Sequence, residues 1–253
     1  MCRQVMTDSS PRQTPRTVGI LGGMSSASTV EYYRGIDAGI NDALGGHDAG
    51  DLLIRSVNFG DIERFISTEE WDAAGEYLPD AAQSLEAAGA EFLLMATNTM
   101  HKVAPRIESA VSIPFVHIVD VAAEAVLDAG VETVGVLGTQ ATMAESFYGE
   151  RLASHGLDVI VPDQAQREAV DEIIFDELTQ GIVRDESRER YLEVIDGLTA
   201  SGAEGIILGC TEIELLVDQS DCPETPLFDT TALHVERAVE WCLAPEFPPK
   251  DGG

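Results

Sequence analysis

The chain has 253 residues, 44% hydrophobic and 24% charged, with 45 Asp and Glu against 15 Lys and Arg for a net charge of −30. That length suits two domains of roughly 110–120 residues each and excludes a disulfide-stapled mini-protein, while the apolar content argues against a disordered chain. No basic face for nucleic acid and no basic membrane-binding stripe is present, no apolar run reaches the roughly 18–20 residues of a membrane span, and Met1 to Thr17 lacks the apolar core of a secretory signal; the expectation is a soluble, cytoplasmic protein.

Short apolar runs alternate with helical patterns from Val18 onward. Strands are expected at Val18–Leu21, Leu52–Val57, Phe92–Ala96 and Phe115–Ile118, and again at Thr133–Leu137, Asp158–Val161, Gly205–Gly209 and Pro226–Phe228. Between them, Ser28 to Leu44 places Val30, Tyr33, Ile40 and Leu44 near helical spacing, with Gly45 and Gly46 as a stop. Trp71 to Ala88 also reads as a helix, with Pro79 expected to kink or split it. Two more helices are expected near Gln164–Gln180 and Asp185–Ser201. Strands alternating with helices define an α/β protein with parallel sheets.

The chain repeats itself. Val18-Gly-Ile-Leu-Gly22 returns as Val134-Gly-Val-Leu-Gly138, 116 residues later. Gly89-Ala-Glu-Phe-Leu-Leu-Met-Ala-Thr97 returns as Gly202-Ala-Glu-Gly-Ile-Ile-Leu-Gly-Cys210, 113 residues later, and Ile113-Pro-Phe matches Thr225-Pro-Leu at an offset of 112. Three blocks in the same order predict two pseudo-symmetric α/β lobes rather than a short-period solenoid, each lobe a mostly parallel four-stranded sheet flanked by helices. The first lobe is expected over residues 17–112 plus 228–245 and the second over 113–227, with a flexible tail at 1–16 and a loose C-terminus at 246–253.

In this register Thr97 and Cys210 hold the same position, just past equivalent strands. Ligands of open α/β sheets bind beyond the carboxyl ends of strands, so the two residues are expected to approach one ligand from opposite sides. Gly209-Cys210-Thr211-Glu212 follows the apolar run Ile206 to Leu208. If a helix begins there, its dipole favours the Cys210 thiolate; the plain alternative is a buried structural cysteine, which suits Cys222 and Cys242. The triplet Thr97-Asn98-Thr99 offers hydroxyls, an amide and turn N–H groups to a carboxylate, or simply caps a helix. His101, on the next helical turn, either orients that triplet or is simply a satisfied polar group.

Gly22-Gly23-Met24-Ser25-Ser26 is a tight turn able to bind an anion, and not a dinucleotide fingerprint; no phosphate-binding loop or nucleophile elbow occurs. The cysteines, Cys2, Cys210, Cys222 and Cys242, lack the spacing of a zinc site. Lys102 and Lys250 are the only lysines, so pyridoxal chemistry has almost no Schiff-base candidate. So acidic and lysine-poor a surface fits adaptation to high salt, where counterions screen self-repulsion; the simpler alternative is an ordinary acidic protein.

Gly19-Ile-Leu-Gly-Gly-Met24, Tyr32-Tyr33, Thr97-Asn-Thr-Met-His101, Gly138-Thr139 and Gly209-Cys-Thr-Glu212 together resemble the aspartate/glutamate racemase family, within the Asp/Glu/hydantoin racemase superfamily. The resemblance runs from about Thr17 to Leu243 and implies two lobes with an active site between them and no cofactor. It implies two residues flanking the substrate Cα, one removing its proton and the other protonating the opposite face. Most of the family has Cys before the first Asn-Thr; this chain has Thr97 there, as does a subgroup of amino-acid racemases. Carried over residue by residue, Thr97 and Cys210 are the catalytic pair, with Met24, Asn98, Thr99 and Thr211 at the substrate. A Lys that the family often places before the Ile-Ile-Phe of a second-lobe helix is missing, and Arg167 is the expected replacement. In the first lobe Arg64 or Arg55 is expected to bind a carboxylate. The implied partner is a small-molecule amino acid, aspartate or glutamate first, with room for a homodimer. A related Cys-dependent isomerase or decarboxylase and a non-catalytic amino-acid-binding protein are the competing readings.

Overall fold

Every apolar run picked out above becomes a strand in the computed structural model, which describes residues 14–246. β1 (Val18–Gly22), β2 (Leu52–Ser56), β3 (Phe92–Met95) and β4 (Phe115–Val116) form one parallel sheet in the order β2-β1-β3-β4. β5 (Thr133–Gly138), β6 (Asp158–Ile160), β7 (Gly205–Gly209) and β8 (Leu227–Asp229) form a second in the order β6-β5-β7-β8. The matching order is what the internal repeat predicts. Both sheets are flanked by helices: α1 (Ser26–Leu44), α2 (Phe59–Ser67), α3 (Trp71–Ala87), α4 (Ala104–Ala110), α5 (Ile118–Asp128), α6 (Gln140–Ala144), α7 (Ser146–Ser154), α8 (Gln164–Asp176), α9 (Asp185–Ala200) and α10 (Thr230–Leu243).

Parallel strands covered on both faces read as continuous apolar runs, and β1, β3 and β7 are buried along their whole length. Side chains alternate between the two cores of each sheet. Leu21 of β1 joins Leu78 and Leu85 of α3, whereas Val18 and Ile20 join Tyr32, Ile36 and Ile40 of α1. In the second sheet Ile206 of β7 packs with Val194 and Leu198 of α9, and Ile207 with Val126 of α5 and Leu152 of α7.

The chain changes sheets later than the sequence pattern suggests. β4 pairs with β3 through Leu93–Phe115 and Leu94–Val116, so residues expected in the second lobe complete the first sheet. A two-residue strand carries too little pattern to fix that boundary. The return crossing follows β8, and α10 then lies back along α1. Gly35 and Gly39, one turn apart on α1, make that approach possible: a Cβ on either would meet Val235 or Val239 at 2.7 Å.

Three local expectations are corrected. The buried face of α1 is Thr29, Tyr32, Ile36 and Ile40, while Val30 and Tyr33 are exposed, because the sheet and α10 define the inward direction. α3 runs unbroken through Pro79, in the middle of a helix whose apolar face stays packed on the sheet. Arg16, expected in a loose tail, is tied down: its N–H donates to the Cys242 carbonyl at 2.9 Å and its guanidinium to the Trp241 carbonyl at 3.1 Å. Expectations for residues 1–13 and 247–253, Cys2 and Lys250 included, lie outside the described residues. Among those described, no helix is long and apolar enough to cross a membrane.

Candidate active site

The loops leaving the carboxyl ends of β1, β3, β5 and β7 surround a cavity of about 320 Å³. Met24 comes from the first loop, Thr97, Asn98 and Thr99 from the second, Thr139 from the third, and Cys210 and Thr211 from the fourth. Thr97 and Cys210 therefore reach one cavity from equivalent positions in the two sheets. The turn after β1 requires glycine: Gly23 has φ +88°, and a Cβ there would lie 2.3 Å from the Val57 carbonyl oxygen.

The expected arginines do not reach this cavity. Arg64 projects from α2 to pair with Glu70 and lies over the Phe65 ring, 4.5 Å from its centroid. Arg167 donates to the Pro162 carbonyl at 3.0 Å, and Arg55 to the Ser56 carbonyl at 3.2 Å. Lys102 pairs with Glu145 and sits 3.8 Å from the centre of the Trp71 ring. Arg64 lies on α2 and Arg167 on α8, but the residues of those helices that line the cavity are Glu63, Ile66, Ile174 and Phe175.

Cys210 does not stand at a helix N-terminus. Only a three-residue 3₁₀ turn, Ile213–Leu215, follows it, so no helix dipole favours its thiolate. Instead the thiol donates to Glu212 Oε2 at 3.1 Å. Burial pushes the thiol well above its ordinary range, and the Glu212 carboxylate pushes it further, so Cys210 is protonated near neutral pH. Glu212 is itself buried and well satisfied: Thr211 donates to Oε2 at 2.6 Å and Ser25 donates to Oε1 at 3.0 Å from the opposite sheet.

Further hydrogen bonds tie the two halves together around the cavity. Ser28 and Thr211 share a bond of 2.5 Å, and Thr99 and Thr139 one of 3.0 Å. Both ends of the buried Asn98 amide are taken, its Nδ2 donating to Thr230 at 3.0 Å and its Oδ1 accepting from Tyr148 at 3.1 Å. Asn98 thus fixes the turn, and the donors left for a carboxylate are the second N–H of its amide and the neighbouring hydroxyls. His101 lies behind the turn. Its Nδ1–H donates to the Thr97 carbonyl at 2.7 Å, while its Nε2 accepts from the Ile118 N–H at 3.3 Å, which fixes one neutral tautomer. Burial, with His117 beside it, keeps His101 well below the usual imidazole range.

The sequence reading passed over several residues of this site. Glu212 stands in the Gly-Cys-Thr-Glu motif itself, and Thr139 is the counterpart of Gly23 in the repeat, so both carried a signal. Phe59, Glu63 and Ile66 sit four and three residues apart on α2, one face of a helix, but nothing in their types announced a cavity. No group of three or more His, Cys, Asp or Glu among the described residues is placed to hold a metal ion.

The fold, the paired loops and the motifs together define a racemase-type α/β protein. A model of the Asp/Glu/Hydantoin racemase family matches residues 21–238, and the chain belongs to that family. A crystal structure from Yersinia pestis, provisionally described as an Asp/Glu racemase, is 44% identical, with a TM-score of 0.85 over 90% of this chain and 99% of that one. An aspartate racemase homologue from Pyrococcus horikoshii is 35% identical, with a TM-score of 0.78 over 89% of this chain and 98% of that one. The broad specificity amino-acid racemase RacX of Bacillus subtilis is 27% identical over 235 residues, 90% of this chain and 98% of RacX.

Proposed function

We propose that this protein is a pyridoxal-independent amino-acid racemase that removes the Cα proton from one face of its substrate and returns a proton to the other. The observation that carries the reading is that Thr97 and Cys210, equivalent in the repeat, line one cavity from opposite sheets. Racemisation needs two proton-handling groups on opposite faces of one carbon, and a duplicated fold supplies them.

The chemistry follows from the groups present. Cys210 must lose its proton before it can act as a base, and Glu212 at 3.1 Å is the acceptor at hand. A substrate ammonium beside them offsets the negative charge that holds the thiol protonated. The thiolate then takes the Cα proton: the Cα–H bond breaks, an S–H bond forms and the electron pair moves into the substrate carboxylate. Hydroxyls of Thr99 and Thr211 and the N–H groups of the Thr97–Thr99 turn stabilise that charge. Thr97, directly or through a water, delivers a proton to the opposite face; solvent restores the Thr97 hydroxyl and takes the proton from Glu212, which returns the site to its starting state. The family resemblance puts aspartate and glutamate first as substrates, while the absence of a lining cation among the described residues opposes a second carboxylate.

The test is Cα-deuterium exchange in deuterated solvent, followed by proton NMR and chiral chromatography. A racemase exchanges and inverts. A protein that binds amino acids without exchange, or releases carbon dioxide from malonate-type acids, is not one.

A further inference from the structure

The cavity has two unlike ends. One is built from the strand-end loops and carries hydroxyls, the thiol and Glu212. The other is built from one face of α2, with Phe59, Glu63 and Ile66, and from the end of α8, with Ile174 and Phe175. Among the described residues no Arg, Lys or His lines it, and the only charged side chains that do are Glu63 and Glu212. We infer that the site selects amino acids with an uncharged, apolar side chain and rejects the dicarboxylic acids for which the family is named. This rests on the racemase reading above.

A free amino acid brings one ammonium and one carboxylate. The loop end can meet both, the first with Glu212 and the second with turn N–H groups and hydroxyls. Aspartate and glutamate bring a second carboxylate, and it must lie where α2 and α8 close the cavity. There it would find no cation and would approach Glu63. An anion placed beside a like charge with no cation to pair with is disfavoured. Arg64 is paired with Glu70 and Lys102 with Glu145, while Arg167, whose Nη1 donates to the Pro162 carbonyl and whose buried Nε has no partner, does not line the cavity. The same end has what an apolar side chain needs. Phe59 and Phe175, from helices on different sheets, both line the cavity and are each 41% exposed, so an apolar group between them would remove ring surface from water.

The experiment compares Cα-deuterium exchange of L-methionine, L-leucine, L-aspartate and L-glutamate by the purified chain in molar potassium chloride. High salt screens the overall charge, so a difference between substrates reports the cavity itself. Methionine or leucine is expected to exceed both acids at least tenfold in kcat/KM for exchange. Aspartate or glutamate matching methionine and leucine overturns the inference and leaves the racemase reading standing. Exchange of none of the four overturns both. A second variant adds a gain of function: Glu63→Arg puts a cation where the second carboxylate would lie. Glu63 is exposed on α2, so the fold should tolerate the change, which circular dichroism checks. Folded E63R is expected to raise glutamate exchange at least tenfold over wild type; a folded variant with no gain on glutamate counts against the assignment.

Discussion

The Cys210 thiol donates to Glu212 Oε2 at 3.1 Å, and burial together with that carboxylate holds the thiol protonated near neutral pH. A carboxylate beside a thiol disfavours the thiolate, and burial acts in the same direction. The rate of Cα exchange is therefore expected to rise with pH into the alkaline range. Glu212→Gln removes the charge but keeps an acceptor, so it should lower the thiol's pKa and move the rising limb to lower pH. A limb that stays in place in E212Q would show that Glu212 does not control Cys210.

Cys210→Ser is expected to lose about a thousandfold or more in turnover, because a hydroxyl ionises far less readily than a thiol. Cys222→Ser and Cys242→Ser serve as controls and should retain activity, since neither residue lines the cavity. A loss of only a few-fold in C210S would remove Cys210 as the base.

The arrangement of strands was legible in the sequence because parallel strands buried on both faces must be apolar throughout, and the repeat gave the position of one half from the other. The equivalent positions of Thr97 and Cys210 at one cavity were readable for the same reason. Other features lay beyond local pattern. The inward face of α1 shifts from Val30 and Tyr33 to Tyr32 and Ile36 because α10, some 200 residues later, packs against it. The absence of a helix after Cys210 depends on how a short 3₁₀ turn leads to β8, and the orientation of Arg64 on its pairing with Glu70.

Stability should respond to pH through two opposed sets of groups. His101, His117 and His234 are buried neutral: burial holds His101 and His117 well below the usual imidazole range and lowers His234 to about 4. Unfolded histidines take up protons below about pH 6.5, so the stability present above that value is lost as pH falls toward 4. Glu214 behaves oppositely. Its hydrogen bond to Asp229 and its burial raise its pKa to about 8, so the stability that its proton contributes is lost as pH rises through 8. In molar potassium chloride the melting temperature should fall between pH 6.5 and 4, and Glu214→Gln should melt higher than wild type at pH 9. Identical melting of E214Q and wild type at pH 9 would exclude strain at this carboxyl pair.

With a net charge of −30, we propose that the fold needs counterions. Thermal unfolding in dilute buffer should occur at a lower temperature than in molar potassium chloride. An unchanged midpoint would remove salt adaptation as the reason for the acidic surface.

The asymmetry of the pair gives the last prediction. Two cysteines could exchange roles, so that either enantiomer would meet a competent base. Here one side offers Thr97, whose hydroxyl hardly ionises near neutral pH without a strong base beside it. Its carbonyl is held by His101, which fixes the turn but does not deprotonate the hydroxyl. Thr97 is therefore better suited to deliver a proton than to remove one. Cys210 should abstract from the enantiomer whose Cα–H faces the second sheet, the L form if the family's handedness holds here. Both directions must still run, because free enantiomers have equal energy and the two kcat/KM values are then equal. The asymmetry can show only in kcat and KM separately and in exchange. In deuterated solvent the L substrate is expected to exchange its Cα proton faster than D product appears, while the D substrate shows little exchange without inversion. Thr97→Cys should bring D exchange toward the L value, and Thr97→Ala should slow inversion more than L exchange. Equal exchange of both enantiomers by the wild type would mean that Thr97 and Cys210 do not divide the work in this way.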